Sequence, residues 1–289
     1  MKIVRSVEEA RAVCRMLREG GRHLGFVPTM GALHEGHLSL VRAARRDCPV
    51  VAVSIFVNPT QFGPNEDFSK YPRTFDRDRE LLEKEGVSLL FAPATEEMYP
   101  GSATTFVEIG ELGNKLCGRS RPGHFRGVAT IVAKLFNIIA PERAYFGQKD
   151  AAQVAVLRRM VRELNFDVDV MVCPIVREPD GLAMSSRNAY LDSSQRKAAL
   201  ALYRALCRVQ TLADRGERNA ATLIAAGKQV IADEPGVRLD YLEVANPETL
   251  EAVSDVSRGA LVAVAGFLGS TRLIDNVVLQ GVGRAAEPS

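Results

Sequence analysis

The chain has 289 residues, enough for one large or two medium domains with full cores. Hydrophobic residues make up 46% and charged residues 25%, the balance of an ordinary soluble enzyme, and a net charge of +2 excludes a general pull toward nucleic acid or membrane. Five scattered cysteines (14, 48, 117, 173 and 207), never in a CxxC pair, argue against a disulfide framework and a structural zinc and point to a reducing cytoplasm.

The first segment, "MKIVRSVEEARAV", has no apolar core of a signal peptide, and no run approaches the roughly 18 apolar residues that span a bilayer. Ser6 followed by Glu9 predicts a capping box for a helix over 6–19. From there, β-branched apolar runs alternate with helix-period segments. Strands are predicted at 23–28, 50–57, 87–93, 143–147 and 166–176, and helices at 37–47, 74–86, 128–139 and 151–164. Continuously apolar strands between helices predict a parallel sheet covered on both faces, a doubly wound, Rossmann-like α/β domain over 1–177. After "REPDGLAMSSRNAYLD" the texture changes: two helical stretches precede "RLDYLEVA", "ALVAVAGFLG" and "RLIDNVVL". That pattern predicts a smaller α+β domain over 178–289, with a tail, "GRAAEPS", that frays.

Open parallel sheets bind ligands beyond the carboxyl ends of their strands, where the strand order reverses. Four of the predicted strands deliver unusual polar loops to that edge: "PTMGALHEGH", "NPTQFGP", "GQKDAAQ" and "REPDGLAMSSRN". In the first, Gly31 and Gly36 have phosphate-loop spacing, but His37 and Leu38 stand where Lys and Ser/Thr would be, and no dinucleotide fingerprint is present. What remains is a helix beginning near His37, whose free N–H groups and dipole favour an anion. His34 and His37, three apart, share a helix face, and Gly36 lets a ligand approach the backbone. A metal pair is the competing reading, with a third ligand from His124 or a distant carboxylate.

These residues carry a resemblance. "PTMGALHEGH" is similar to the HxGH signature of the nucleotidyltransferase superfamily. Together with "SIFVNPTQFGPNEDFSKYPRT", "LCGRSRPGHFRGVATIVAKLFNI", "FGQKDAAQ" and "VREPDGLAMSSRNAYLD", it closely resembles the pantothenate synthetase family. The resemblance implies that ATP and pantoate form pantoyl adenylate, from which β-alanine displaces AMP to give pantothenate. It implies an ATP site at Met30, Gly31, Ala32, Leu33, His34, Glu35, Gly36 and His37, with His37 catalytic. It continues the site through Gly147, Gln148, Lys149 and Asp150, and through Val176, Met184, Ser185, Ser186 and Arg187. His34, Lys149, Ser185, Ser186 and Arg187 join His37 as phosphate donors, the serines without a covalent role. The family usually has Glu where this chain has Gln148, so no carboxylate contact is carried over there.

Gln61 and Gln153, each both donor and acceptor, suit an acid bearing hydroxyl and carboxylate groups, and the resemblance places Asn58 and Tyr71 near them. Magnesium is expected with ATP, and relatives hold it near the segment that is "TFDRDRE" here. Asp76 and Asp78 point to different sides of a helix, which leaves Asp78 as the metal candidate. The resemblance further implies a homodimer through the first domain. The second domain is expected to act as a lid that brings Ser186 and Arg187 to the phosphates. Other readings are a different cofactor adenylyltransferase, which needs more basic groups, and a silent ATP-binding sensor, against which His37, Lys149 and Arg187 weigh. A tRNA synthetase lacks an anticodon-binding module here.

Overall fold

The computed structural model describes residues 1–64, 66–101 and 103–281, and the tail "GRAAEPS" lies outside them. In chain order the first part comprises β1 (Lys2–Val4), α1 (Val7–Leu17), β2 (Leu24–Thr29), α2 (Glu35–Asp47), β3 (Val50–Ile55), α3 (Phe75–Lys84) and β4 (Leu89–Phe91). The short helices α4 (Thr95–Met98) and α5 (Cys117–Ser120) lead to α6 (His124–Ile139), β5 (Arg143–Gly147), α7 (Ala151–Glu163) and β6 (Asp169–Cys173). The predicted capping box holds: Ser6 Oγ accepts the Glu9 N–H at 3.2 Å, and Glu9 Oε2 accepts the Ser6 N–H at 3.4 Å.

Among the described residues, β1 to β6 form one parallel sheet in the order β1-β4-β3-β2-β5-β6. The chain leaves β2 toward β3 and β4 on one side and resumes at β5 on the other. The strand order therefore reverses between β2 and β5. Strand β1 was not predicted; three residues at a sheet edge carry too little pattern to stand out. Phe26, Val27, Val51, Val53 and Leu90 are fully buried, as strands covered on both faces require. Each such side chain contributes about 1.5–3 kcal/mol of transfer free energy.

The later elements are α8 (Ser193–Ala198), α9 (Leu200–Asp214), α10 (Ala220–Ala232) and an antiparallel sheet of β7 (Arg238–Ala245), β8 (Ala260–Leu268) and β9 (Thr271–Leu279), in that order. The first of the two helical stretches predicted here, "SSQRKAALALYRALCRVQTLA", divides at Ala199. Leu202, Leu206, Val209, Leu223, Val262 and Val264 build the core of this part.

The chain falls into two compact units. The first comprises Met1–Asn114, Arg121–Gln148 and Val156–Val176; the second comprises Lys115–Ser120, Lys149–Ala155 and everything from Arg177 onward. Among the described residues no helix is long and apolar enough to cross a membrane.

Candidate active site

In the first unit, the loop after β2 turns on two left-handed residues, Gly31 (φ 81°) and Ala32 (φ 51°). A Cβ at Gly31 would stand 3.1 Å from both Asp78 Oδ2 and Ile55 Cγ2, so only glycine fits without a shift. The turn aims its backbone at Asp78. Asp78 Oδ2 accepts the Ala32 N–H at 2.8 Å, and Oδ1 accepts the Leu33 N–H at 2.9 Å and the Thr74 hydroxyl at 3.0 Å. The carboxylate is fully buried with both oxygens committed. This corrects the metal reading of Asp78: it holds the loop in shape, and it does not fit a magnesium ion. Among the described residues, no three or more His, Cys, Asp and Glu side chains gather as a metal site.

Helix α2 begins at Glu35, two residues before the predicted start, because His34 is its N-cap. The His34 backbone is extended (φ −136°, ψ 175°), and its Nδ1 accepts the Gly36 N–H at 3.1 Å. His37 Nδ1 accepts the His34 N–H at a longer 3.4 Å, which completes a capping box made of two imidazoles. The rings stand 4.1 Å apart, centroid to centroid. The expectation of free helix N–H groups is therefore overturned at Gly36, whose N–H is taken inside the loop. Ala32 and Leu33 give theirs to Asp78, and Gly31 gives its N–H to Thr29 Oγ1 at 3.1 Å. With Nδ1 as acceptor, each neutral imidazole carries its proton on Nε2. The dipole of α2 still favours an anion at this end. Within the same loop, the Glu35 side chain pairs with Arg42 and the Leu33 side chain is buried in the core, which leaves the main chain to face a ligand at these two positions.

The turn after β3 (Pro59–Gln61) is held from below. Asn58 is buried, and its Oδ1 accepts the Thr60 N–H (3.4 Å), the Thr60 hydroxyl (3.0 Å) and the Tyr99 hydroxyl (2.8 Å). Its Nδ2 donates to Gln61 Oε1 and to the Gly127 carbonyl, each at 3.1 Å. Asn58 thus orients Gln61, its own amide engaged within the turn and with α6. Gln61 Nε2 in turn lies 3.0 Å from Met30 Sδ, joining this turn to the histidine loop. The Tyr71 ring is buried edge-on against Phe62, centroids 6.0 Å apart.

Sequence reasoning missed the basic group beside Gln61. Arg121 forms a two-pronged pair with Glu66 (2.7 and 2.6 Å) and places NH1 2.9 Å from His124 Nε2. His124 Nδ1 lies 2.8 Å from the Gln61 carbonyl, which can only accept; the proton is therefore on Nδ1, and Nε2 accepts from Arg121. Burial works to raise the Glu66 carboxyl, but the Arg121 guanidinium more than offsets it and holds the group below its ordinary value. His124 is committed here and does not join His34 and His37 as a metal ligand. The available signal was an Arg and a His three apart across a Pro–Gly turn in "RPGH".

In the second unit, Lys149 and Asp150 sit in the single turn Gln148–Asp150, and Gln153 lies in the first turn of α7. Ser185 caps the turn Ser186–Tyr190, its Oγ accepting the Arg187 N–H at 3.3 Å. Lys149 and Ser185 line one small cavity with Asn188 and Asp275. The structure so brings a lysine and the start of the Ser185–Arg187 segment together. Met184, Ser186 and Arg187 are half-buried, as are Gly147, Gln148 and Val176 in the first unit.

Comparison with known proteins closes the description. The model of the pantoate-β-alanine ligase family matches residues 2–278. The chain is 61% identical to a pantothenate synthetase of Koribacter versatilis (strain Ellin345), over all of this chain and 99% of that protein. It is 58% identical to one of Thermotoga neapolitana, over 96% of this chain and all of that protein. Among solved structures, pantothenate synthetase from Thermus thermophilus superposes with a TM-score of 0.91 at 51% identity, covering 96% of this chain and 99% of that one. A pantoate-β-alanine ligase from Francisella tularensis, solved in complex with β,γ-ATP and β-alanine, superposes with a TM-score of 0.79 at 35% identity, covering 96% and 97%.

Proposed function

The chain belongs to the pantoate-β-alanine ligase family, and from that premise we propose how its residues divide the work of the reaction. The protein is a ligase that joins pantoate to β-alanine at the expense of ATP, forming a C–N bond and releasing AMP and pyrophosphate. In the first step a pantoate carboxylate oxygen attacks the α-phosphorus, the bond to the β-phosphate bridging oxygen breaks, and pyrophosphate leaves. In the second, the neutral β-alanine amine attacks the acyl carbon. The bond from that carbon to the phosphate oxygen breaks, AMP leaves, and the amine gives its extra proton to solvent.

Charge builds on phosphoryl oxygens in the first step, so fixed donors aimed there lower the barrier. His37 and His34 supply two of them. The observation that carries this reading is the imidazole pair at the end of β2: both Nδ1 atoms accept backbone N–H groups, which fixes the rings side by side at the start of α2 with the proton of each neutral ring on Nε2. Lys149, Ser185, Ser186 and Arg187 serve as further phosphate donors, on the strength of their residue types and the shared cavity of Lys149 and Ser185. Gln61, set by Asn58, and Gln153 bind pantoate. The backbone from Met30 to Glu35, together with Gly147, Gln148, Asp150, Val176 and Met184, shapes the nucleotide's surroundings.

Magnesium, when bound with ATP, would supply positive charge to the phosphates, and Asp78, engaged by the loop, would not hold it. The protein works as a cytoplasmic homodimer, a state that sedimentation of the purified chain checks. The test of the assignment is pyrophosphate release. It requires ATP and pantoate together and proceeds without β-alanine for one turnover, whereas pantothenate appears only when β-alanine is added. Release that ignores pantoate, or that a phosphorylated cofactor precursor supports better, would overturn it.

A further inference from the structure

Strand β9 carries Asp275 and Asn276 side by side within an otherwise mostly apolar run, and both are buried, at 4% and 3% exposure. Removing an amide or a carboxylate from water is unfavourable unless it is bonded, and apolar side chains would fill the same space more simply. The structure gives each a specific partner. Asp275 accepts two bonds from the Arg177 guanidinium at 2.6 and 2.9 Å. Arg177 also donates to the Gly181 carbonyl at 3.0 Å and pairs with Ala183 across the turn that precedes Ser185. Asn276 Nδ2 donates to the Lys149 carbonyl at 3.0 Å. One strand, itself zipped to β8 along its length, so fixes the main chain at Lys149 and at the base of the Ser185–Arg187 segment. All of these contacts lie within the second unit.

A lysine reaches its target on a flexible four-carbon stem, and what the fold controls is where that stem begins. We infer that Asn276 is a positioning residue for the adenylation step: its amide holds the Lys149 main chain where the ammonium group meets the phosphates. The inference rests on the role proposed for Lys149, because Asn276 itself touches no reacting atom.

The experiment measures single-turnover pyrophosphate release from ATP and pantoate in the full chain, for Asn276→Ala, Asn276→Ser, Lys149→Ala and the two double variants. Misplacement of a catalytic group by about 1 Å costs on the order of 10²-fold in rate, so Asn276→Ala is expected to slow the step roughly 10–100-fold with the pantoate KM unchanged. Asn276→Ser, whose hydroxyl still donates, recovers part of the rate. In the Lys149→Ala background, neither change at 276 costs anything further. Losses that multiply in the double variants, or a wild-type rate for Asn276→Ala, overturn the inference while leaving Lys149 in place. Should Asn276→Ala fail to fold, Asn276→Ser with and without Lys149→Ala completes the same cycle. A wild-type rate for Lys149→Ala removes the role proposed for that lysine and this inference with it.

Discussion

Replacing Asp78 by alanine separates two roles that a carboxylate near an ATP site can play. The Ala32 and Leu33 N–H groups, bonded to it at 2.8 and 2.9 Å, would lose their acceptor inside the protein. Each orphaned donor costs about 1–3 kcal/mol, and the lost Thr74 hydrogen bond adds about 1, for a sum of roughly 3–7 kcal/mol. The left-handed backbone at Ala32 is itself unfavourable by about 1–2 kcal/mol, and Asp78 is what holds it there. At about 2–4 °C per kcal/mol for a chain of this size, the melting temperature is expected to fall on the order of 10–20 °C. Asp78→Asn keeps one acceptor oxygen and turns an amide donor toward the other N–H, so an intermediate loss is expected. Thermal unfolding by circular dichroism, run beside a magnesium titration of pyrophosphate release, decides the matter. An unchanged melting temperature with a raised magnesium requirement would refute the reasoning, because it is the signature of a metal ligand.

Three further outcomes are expected. His37→Ala, which removes one preorganised donor, slows pyrophosphate release on the order of 10²–10³-fold, and near-normal release by the folded variant would remove His37 from the chemistry. Gln61→Ala and Gln153→Ala raise the pantoate KM and leave the ATP KM near wild type; equal damage to both constants in steady-state assays would show that the amides are wrongly assigned. Arg187→Ala slows adenylation and also lets the reactive acyl adenylate escape to water, so AMP released per pantothenate rises with β-alanine saturating. A ratio at the wild-type value would leave Arg187 as a phosphate ligand with no protective part.

Much of the fold was legible because burial on both faces leaves a continuous apolar signature, and Arg143–Gly147 is a strand over the residues predicted. The start of α2 was misplaced for a local reason. Histidine is outside the usual set of capping residues, yet an unprotonated Nδ1 accepts a backbone N–H much as an Asp or Ser oxygen does. The remaining gaps are long-range. Asp78 stands 46 residues from Ala32, Tyr99 stands 41 from Asn58, and Asn276 stands 127 from Lys149. Any of these side chains has the composition of a ligand contact when read alone. Which partner it chooses depends on what the tertiary fold sets beside it, and a period along the chain carries no trace of that choice.

The packing under the turn Pro59–Gln61 bears on attempts to change which acid the enzyme accepts. A Cβ at Gly127 would fall 2.3 Å from the Thr60 carbonyl oxygen and 2.6 Å from the Gln61 nitrogen, so α6 and this turn meet main chain to main chain. Asn58 bolts the same two segments together through the Gly127 carbonyl. Exchanging Gln61 alone would alter the reach of one side chain and leave its anchor point unmoved. On the role proposed for Gln61, moving its contact with the acid requires re-seating α6 against the turn. Libraries that vary positions 58, 61, 99 and 127 together sample that movement, whereas scans of single positions along the turn do not.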